Sequence, residues 1–442
     1  MKANRIVVLS AVCAAAMGAA ASSPQITAAS VDAKTGARRP NKTVTYTLSG
    51  EPGIVTFYLM TNGVPVDCPY VHVSGDVNRL LQPGEHSFSW QSDLDWPGHE
   101  IRTETARIVV KAWSTNAPPD YMIVPLTRAS TEVPKYYAKA ADIPDGITNV
   151  AYKTDYLAMR LIHARGTFAR LGQSVKDYGY TADDYTRNSA RLVAFTNDYY
   201  IGVYPITRFQ YDVLGCNRKM DEAFNFGDEL KARYQEDNDY AKSRPCVGPS
   251  PFYFLISYTN PNPPDYDWPA AGGYGADSRS FFGKLRSKTG NQSFFLPSEA
   301  QWENACRAGT TTLFANGTST NMTDIGWCVD NNADDPDWVE GLPHAVGLKK
   351  PNAWGLYDMN GSVHEYVLDR WRTSTPASVA NADGTPIFDP MFAIPNWDHM
   401  SCGGSFKDSQ AKCASGYIRE TGWSTRGIDL GFRVTCSAVV FK

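Results

Sequence analysis

Turn-forming residues interrupt this chain so often that a long helical bundle is ruled out before any motif is considered. Glycine and proline contribute 35 and 28 of the 442 residues, and aromatic side chains are frequent between them. Short strands joined by turns and irregular loops satisfy such a pattern; long amphipathic helices do not. At 48.7 kDa the chain exceeds one ordinary domain, so two are expected.

Residues 41–113 alternate in the manner of short strands: 44–48, 54–60, 87–90 and 106–113, with an Asn62-Gly63 turn and Pro83-Gly84 between them. Phe88 and Trp90 alternate with Ser87 and Ser89, which places one face inward. Residues 41–125 therefore read as a small β-sandwich-like domain suited to adhesion, spacing or packing. Prolines at 118, 119, 125, 134 and 144 mark residues 126–149 as a linker, and the second domain is expected over 150–442. There one helix is clearly announced. Ser298 is an N-cap, Gln301 completes a capping box, and residues 299–306 should be helical, with Trp302, Ala305 and Cys306 as a buried stripe. Glu299 and Glu303 lie on another face and are expected in solvent near the positive end of the helix dipole. Residues 259–275, with Tyr266, Trp268 and Tyr274, read as a long surface loop.

The N-terminus has the form of a cleaved secretory signal over residues 1–21. Lys2 and Arg5 precede an alanine-rich apolar run ending at Ala19-Ala20-Ala21, too short and too weakly apolar to span a bilayer. The expected location is secreted, periplasmic or at the cell surface, with no membrane span. Cys13 leaves with the leader, and the remaining eight cysteines form no C-x-x-C pair. The net charge of −4 contains no basic block, so nucleic acid is not an expected partner. There is no G-x-S-x-G elbow, no H-E-x-x-H helix and no phosphate-binding loop, since Gly283-Lys284 is followed by Leu285. No H-x-x-x-H-x-E iron motif occurs either.

Four blocks remain. They are Tyr200-Ile201-Gly202 with Pro205-Ile206-Thr207; Leu296-Pro297-Ser298-Glu299-Ala300-Gln301-Trp302-Glu303; Gly355-Leu356-Tyr357-Asp358-Met359-Asn360-Gly361-Ser362-Val363-His364-Glu365-Tyr366; and Gly403-Gly404-Ser405-Phe406 with Gly431-Phe432-Arg433. In this order, over about 290 residues, they resemble the sulfatase-modifying-factor, or formylglycine-generating-enzyme, family. The resemblance implies an irregular α+β domain related to C-type lectins. It also implies one calcium ion, with the side chains of Asp358 and Glu365 and the carbonyls of Gly361 and Val363 as ligands, a donor set suited to a hard cation. A second calcium site would draw on residues 330–337, where the solvated-loop reading leads.

Active family members oxidise a sulfatase cysteine with dioxygen on a copper(I) ion held by two thiolates. The matching positions here are Asp408 and Cys413, beside Ser405. Copper(I) selects soft sulfur, and a carboxylate is hard, so the pair of thiols is broken. Cys402, three residues before Ser405, is an imperfect substitute. His364 and Tyr366 replace two family tryptophans, and His364 is expected as a partly buried structural residue. The sequence thus points to an exported, calcium-stabilised peptide- or glycan-binding or structural module. The alternative is an active oxidase that acts on an extended sulfatase peptide with Cys413, Ser405 and copper.

Overall fold

The structure is a computed structural model describing residues 9–11, 23–33, 41–99, 106–127, 132–173, 188–216, 228–248, 276, 278–372, 383–392, 399–422, 425 and 427–438. The expected aromatic loop at 259–275 lies outside the described residues. Of the expected leader only Leu9–Ala11 is described, running parallel beside Val109–Lys111.

The chain divides into two units, the first comprising Met1–Val124, Glu132–Asn149 and Ala438–Lys442, the second Pro125–Thr131 and Val150–Ser437. In the first, Gln25–Ala33, Asn41–Ser49, Gly84–Gln91 and Val73–Gly75 make one antiparallel sheet. Gly53–Thr61 and Ala106–Ser114 anchor a second. Side chains of alternate positions meet between the sheets: Val44, Tyr46, Phe88 and Trp90 from one, Val55, Phe57, Ile108 and Val110 from the other. The inward faces follow the period of two, and in the second sheet Ile54, Thr56 and Val109 are buried on the opposite face as well. Gln25–Ala33 is a strand that the sequence reading, starting at residue 41, leaves out; its Ala, Ser and Thr give a weak apolar signal. The segment read as a linker carries a strand too, Lys135–Tyr137, paired with residues 121–123.

The second unit has little regular structure for its size. Tyr156–Ile162, Tyr199–Gly202 and Thr435–Ser437 form one antiparallel set. Ile418–Thr421, His399–Cys402, His364–Arg370 and Leu430–Phe432 form another, with Leu430–Phe432 parallel to its neighbour. The α+β class expected from the sequence is what the chain adopts. The expected helix runs Glu299–Arg307, with the Ser298 hydroxyl accepting from Gln301 N–H and the Gln301 side chain returning to Ser298 N–H. It ends at Ala308 in the left-handed conformation. Its neighbours pack Trp302, Ala305 and Cys306 against Met359, Val367 and Cys402.

Candidate functional site: a carboxylate-centred cluster beside a buried arginine–glutamate knot

Along the strand His364–Arg370, successive side chains point to opposite faces. His364 and Glu365 therefore serve two different places. Glu365 is fully buried and faces the Glu299–Arg307 helix, where Trp302 Nε1–H donates to its Oε2 at 2.7 Å. Arg433 grips the same carboxylate bidentately, Nε to Oε2 at 3.0 Å and Nη2 to Oε1 at 2.8 Å. The guanidinium also donates to the carbonyls of Gly202 and Tyr357, both at 2.8 Å. A buried guanidinium survives only when its fork is filled with acceptors. Here the acceptors come from separate stretches of chain, so this one ion pair ties together pieces of all four sequence blocks. In the sequence Arg433 stands as the end of the Gly431-Phe432-Arg433 motif, with no local signal of its partner.

His364, on the other face, meets the loop after Gly404. Its Nε2 lies 2.9 Å from Asp408 Oδ2, and because a carboxylate only accepts, Nε2 carries the proton. Ser405 donates its hydroxyl to the same Asp408 oxygen at 2.5 Å, and Lys407 N–H donates to Ser405 Oγ at 3.3 Å. Burial opposes charge on Asp408, yet the hydrogen bond and charge of His364, with that of Ser405, bring its carboxyl down to about 2. Both departures from the family pattern, Asp for the first thiol and His for a tryptophan, thus touch each other. A hydrogen-bonded cluster stands where the resemblance implies a metal ligand. His364 is wholly buried and its Nδ1 has no partner.

Cys413, the retained thiol, is also wholly buried and sits 3.6 Å from the Ser405 carbonyl. Burial keeps it a thiol well above the ordinary cysteine range. Gly404 adopts a left-handed φ of 68°, and a Cβ there would lie 2.7 Å from the Cys413 sulfur, so only glycine lets the loop fold over the thiol. Cys402 does not substitute: it packs with Trp302 and Met359, whereas Cys413 packs with Leu313, Phe314 and Cys328. The two positions that the resemblance implies, Asp408 and Cys413, do not make a bis-thiolate copper(I) site, because one of them is a hard carboxylate already held by His364 and Ser405.

The calcium ligand set fares differently. Asp358 is buried with a left-handed φ of 57°, its Oδ2 accepting Gly347 N–H at 2.7 Å while Oδ1 has no partner. Burial raises its carboxyl to about 6. Gly361 and Ser362 are also left-handed, and a Cβ on Gly361 would strike the Trp327 carbonyl at 2.1 Å. Val363 follows, buried. An orphaned carboxylate oxygen in so tight a turn suits a hard cation. Glu365 Oε1, with one donor from Arg433, keeps a lone pair for it. Among the described residues no group of three or more His, Cys, Asp and Glu side chains gathers for a metal, so an ion at this turn rests on two carboxylates and main-chain carbonyls.

Two expectations about carboxylates are corrected. Glu299 and Glu303 are not in solvent: each is about 1% exposed. Glu299 holds both Arg191 and Arg372, at 2.7 and 3.0 Å, and although burial opposes its charge the two guanidiniums hold it well below the usual range. Glu303 pairs with Arg307, four residues on, at 2.7 Å. In the 330–337 loop, Asp335 accepts from Tyr240 and lies 2.9 Å from His344 Nδ1, and Asn331 and Asn332 are buried. Asp330, Asp334 and Asp337 are exposed, as the solvated-loop reading expects.

Residues 164–438 match the family described as the sulfatase-modifying factor enzyme 1-like domain. The chain belongs to that family. Among curated proteins it is similar to "Chaperone protein LppX" of Paenibacillus barcinonensis, 25% identical over 185 residues. That alignment covers 38% of this chain and 61% of the relative, so the chain spans about three-fifths of that relative's length. Among solved structures it is similar to "Treponema denticola variable protein 1", at 21% identity over 64% of this chain and 95% of that one, with a TM-score of 0.44. It is also similar to PvdO from Pseudomonas aeruginosa, at 19% identity over 64% and 94% respectively, with a TM-score of 0.43. Among the described residues no helix is long and apolar enough to cross a membrane.

Proposed function

We propose that this sulfatase-modifying-factor-like chain is an exported, calcium-stabilised module that binds an extended peptide or a glycan without oxidising it. The observation that carries this reading is the Asp408 carboxylate at the first thiol position, tied to Ser405 at 2.5 Å and to His364 at 2.9 Å. Family chemistry needs two soft sulfurs there. At those two positions one buried thiol and a hydrogen-bonded carboxylate supply no pair of sulfurs, and the thiol that shares the Cys413 cluster, Cys328, lies outside the family's two positions. Ser405 orients Asp408 and, being wholly buried, has no access to a substrate. Asp358 and Glu365, with the carbonyls of Gly361 and Val363, would hold calcium, which supplies a positive centre that fixes the turn between Asp358 and the strand His364–Arg370. A fold of this family carries many activities, so membership alone assigns none.

Copper(I) competition against a chromogenic chelator tests the reading. The reduced full-length chain should leave copper with the chelator. Withdrawal of one equivalent, lost in Cys413→Ser and retained in Cys328→Ser, would overturn the reading in favour of the oxidase.

A further inference from the structure

Cys413 shares its buried cluster with another sulfur, contributed from a distant part of the chain. Cys328 and Cys413 belong to one small buried cluster with Leu313, Phe314, Met322 and Ile325. Three hydrogen bonds fasten the two segments that carry them. Val329 N–H donates to the Asp408 carbonyl at 3.0 Å, Met322 N–H to Gln410 Oε1 at 3.1 Å, and Gln410 Nε2 to Asp330 Oδ2 at 3.4 Å. Asn360 locks the Cys413 carbonyl from a third side, at 2.8 Å. After burial, the charge acting most strongly on the Cys413 thiol is that of Cys328.

We infer that Cys328 and Cys413 are a redox pair that closes into a disulfide, stapling the 322–331 segment to the 405–413 loop. This goes beyond the binding reading and depends on neither calcium nor the ligand. Cys328 is itself buried but lies under the exposed Val329-Asp330 stretch, and local opening of that stretch makes it the entry point. Its sulfur lies 4.0 Å from the exposed Asp330 carboxylate, and the adjoining Val329 is 54% exposed. With glutathione disulfide as the oxidant, the Cys328 thiolate attacks one glutathione sulfur, forms a mixed disulfide and expels one glutathione thiolate. The Cys413 thiolate then attacks the Cys328 sulfur and expels the second. The cysteine pair loses two electrons and two protons, and both appear on the two released glutathione thiols. Closure would also withdraw Cys413 from any soft metal.

The test is peptide mapping of the full-length chain, equilibrated with glutathione disulfide, then alkylated and digested without reductant. The expected product is a Cys328–Cys413 linked peptide whose mass is the sum of its two arms less two hydrogens. The melting temperature should fall by about 5–10 °C when reductant is added, as loss of a native cross-link predicts. Cys328→Ser should abolish both the link and the reductant-dependent shift. Recovery of Cys328 and Cys413 both alkylated from the oxidised sample, or of Cys413 linked to another cysteine, would overturn the pair. Should Cys328→Ser fail to fold, the map of the unaltered chain still decides.

Discussion

The N-terminal sandwich and the C-terminal unit both bury apolar clusters, but the C-terminal unit adds a network of buried ion pairs. In the sandwich the core is apolar and aromatic, with Phe57 stacked obliquely on Phe88 at 4.6 Å and edge-on to Trp90 at 5.5 Å, and its strands follow a period of two. In the C-terminal unit the buried interior includes Glu299, Glu303, Glu365, Asp369, Arg191, Arg372 and Arg433. Apolar contact is non-directional and tolerant of substitution, whereas a buried ion pair requires both partners in place. A domain of short strands and many loops gains a defined arrangement from such pairs. Its family motifs are therefore read first as a scaffold, and only what departs from them as function.

The contrast breaks most sharply at Arg433. Arg433→Met should cost about 3–5 kcal/mol, or prevent folding of the C-terminal unit, because it strands Glu365 in the interior. Arg433→Met combined with Glu365→Leu should recover part of that loss, since apolar replacement of a whole pair removes the unpaired charge. Denaturant unfolding followed by tryptophan fluorescence measures both. A single replacement without loss of stability would show that the knot holds nothing.

A smaller effect tests the calcium turn. Asp358 has its folded carboxyl raised to about 6 by burial. Without an ion it therefore favours the folded state below the ordinary carboxylate range, near 4, and that contribution disappears as pH rises through 6. Calcium competes with the proton. Its stabilisation should be absent near pH 4 and complete above about pH 7, reaching about 2.7 kcal/mol at a hundredfold excess over the dissociation constant. Melting curves with calcium and with chelator across this range check the sign. Identical curves at every pH would remove calcium from the account.

The least effect belongs to Asp408. Its folded carboxyl is depressed to about 2, so it stabilises the fold above the unfolded value and ceases to do so as pH falls from about 4 to about 2. Asp408→Asn should lose about 1–2 kcal/mol at neutral pH and flatten that acid limb. The sandwich should respond to neither change.

Much of the fold was legible where its causes are local. The Ser298–Gln301 capping box lies within one helical turn and announces Glu299–Arg307, and the Phe88/Trp90 alternation announces the inner face of the sandwich. A second box, Thr207 with Gln210, caps Arg208–Val213 by the same three-residue signal. The remainder was hidden by distance along the chain. Arg191 reaches Glu299 across 108 residues and Arg433 reaches Glu365 across 68, and no periodicity reports such a meeting. The first turn of a helix is commonly wet, which is why Glu299 and Glu303 were expected in solvent. At the site, the Asp408 departure was visible by counting from Ser405. Its contact with His364 was not, because a bond between distant residues, Phe406 N–H to the Ser362 carbonyl at 2.9 Å, draws the loop to that segment.

The central claim is that a carboxylate cluster has taken the place of the copper dithiolate. The most direct test gives the reduced full-length protein copper(I), air and a sulfatase-derived peptide carrying C-x-P-x-R, and follows the peptide by mass spectrometry. The account predicts that the cysteine is recovered without aldehyde over many hours. Turnover to formylglycine that depends on Cys413 would contradict it.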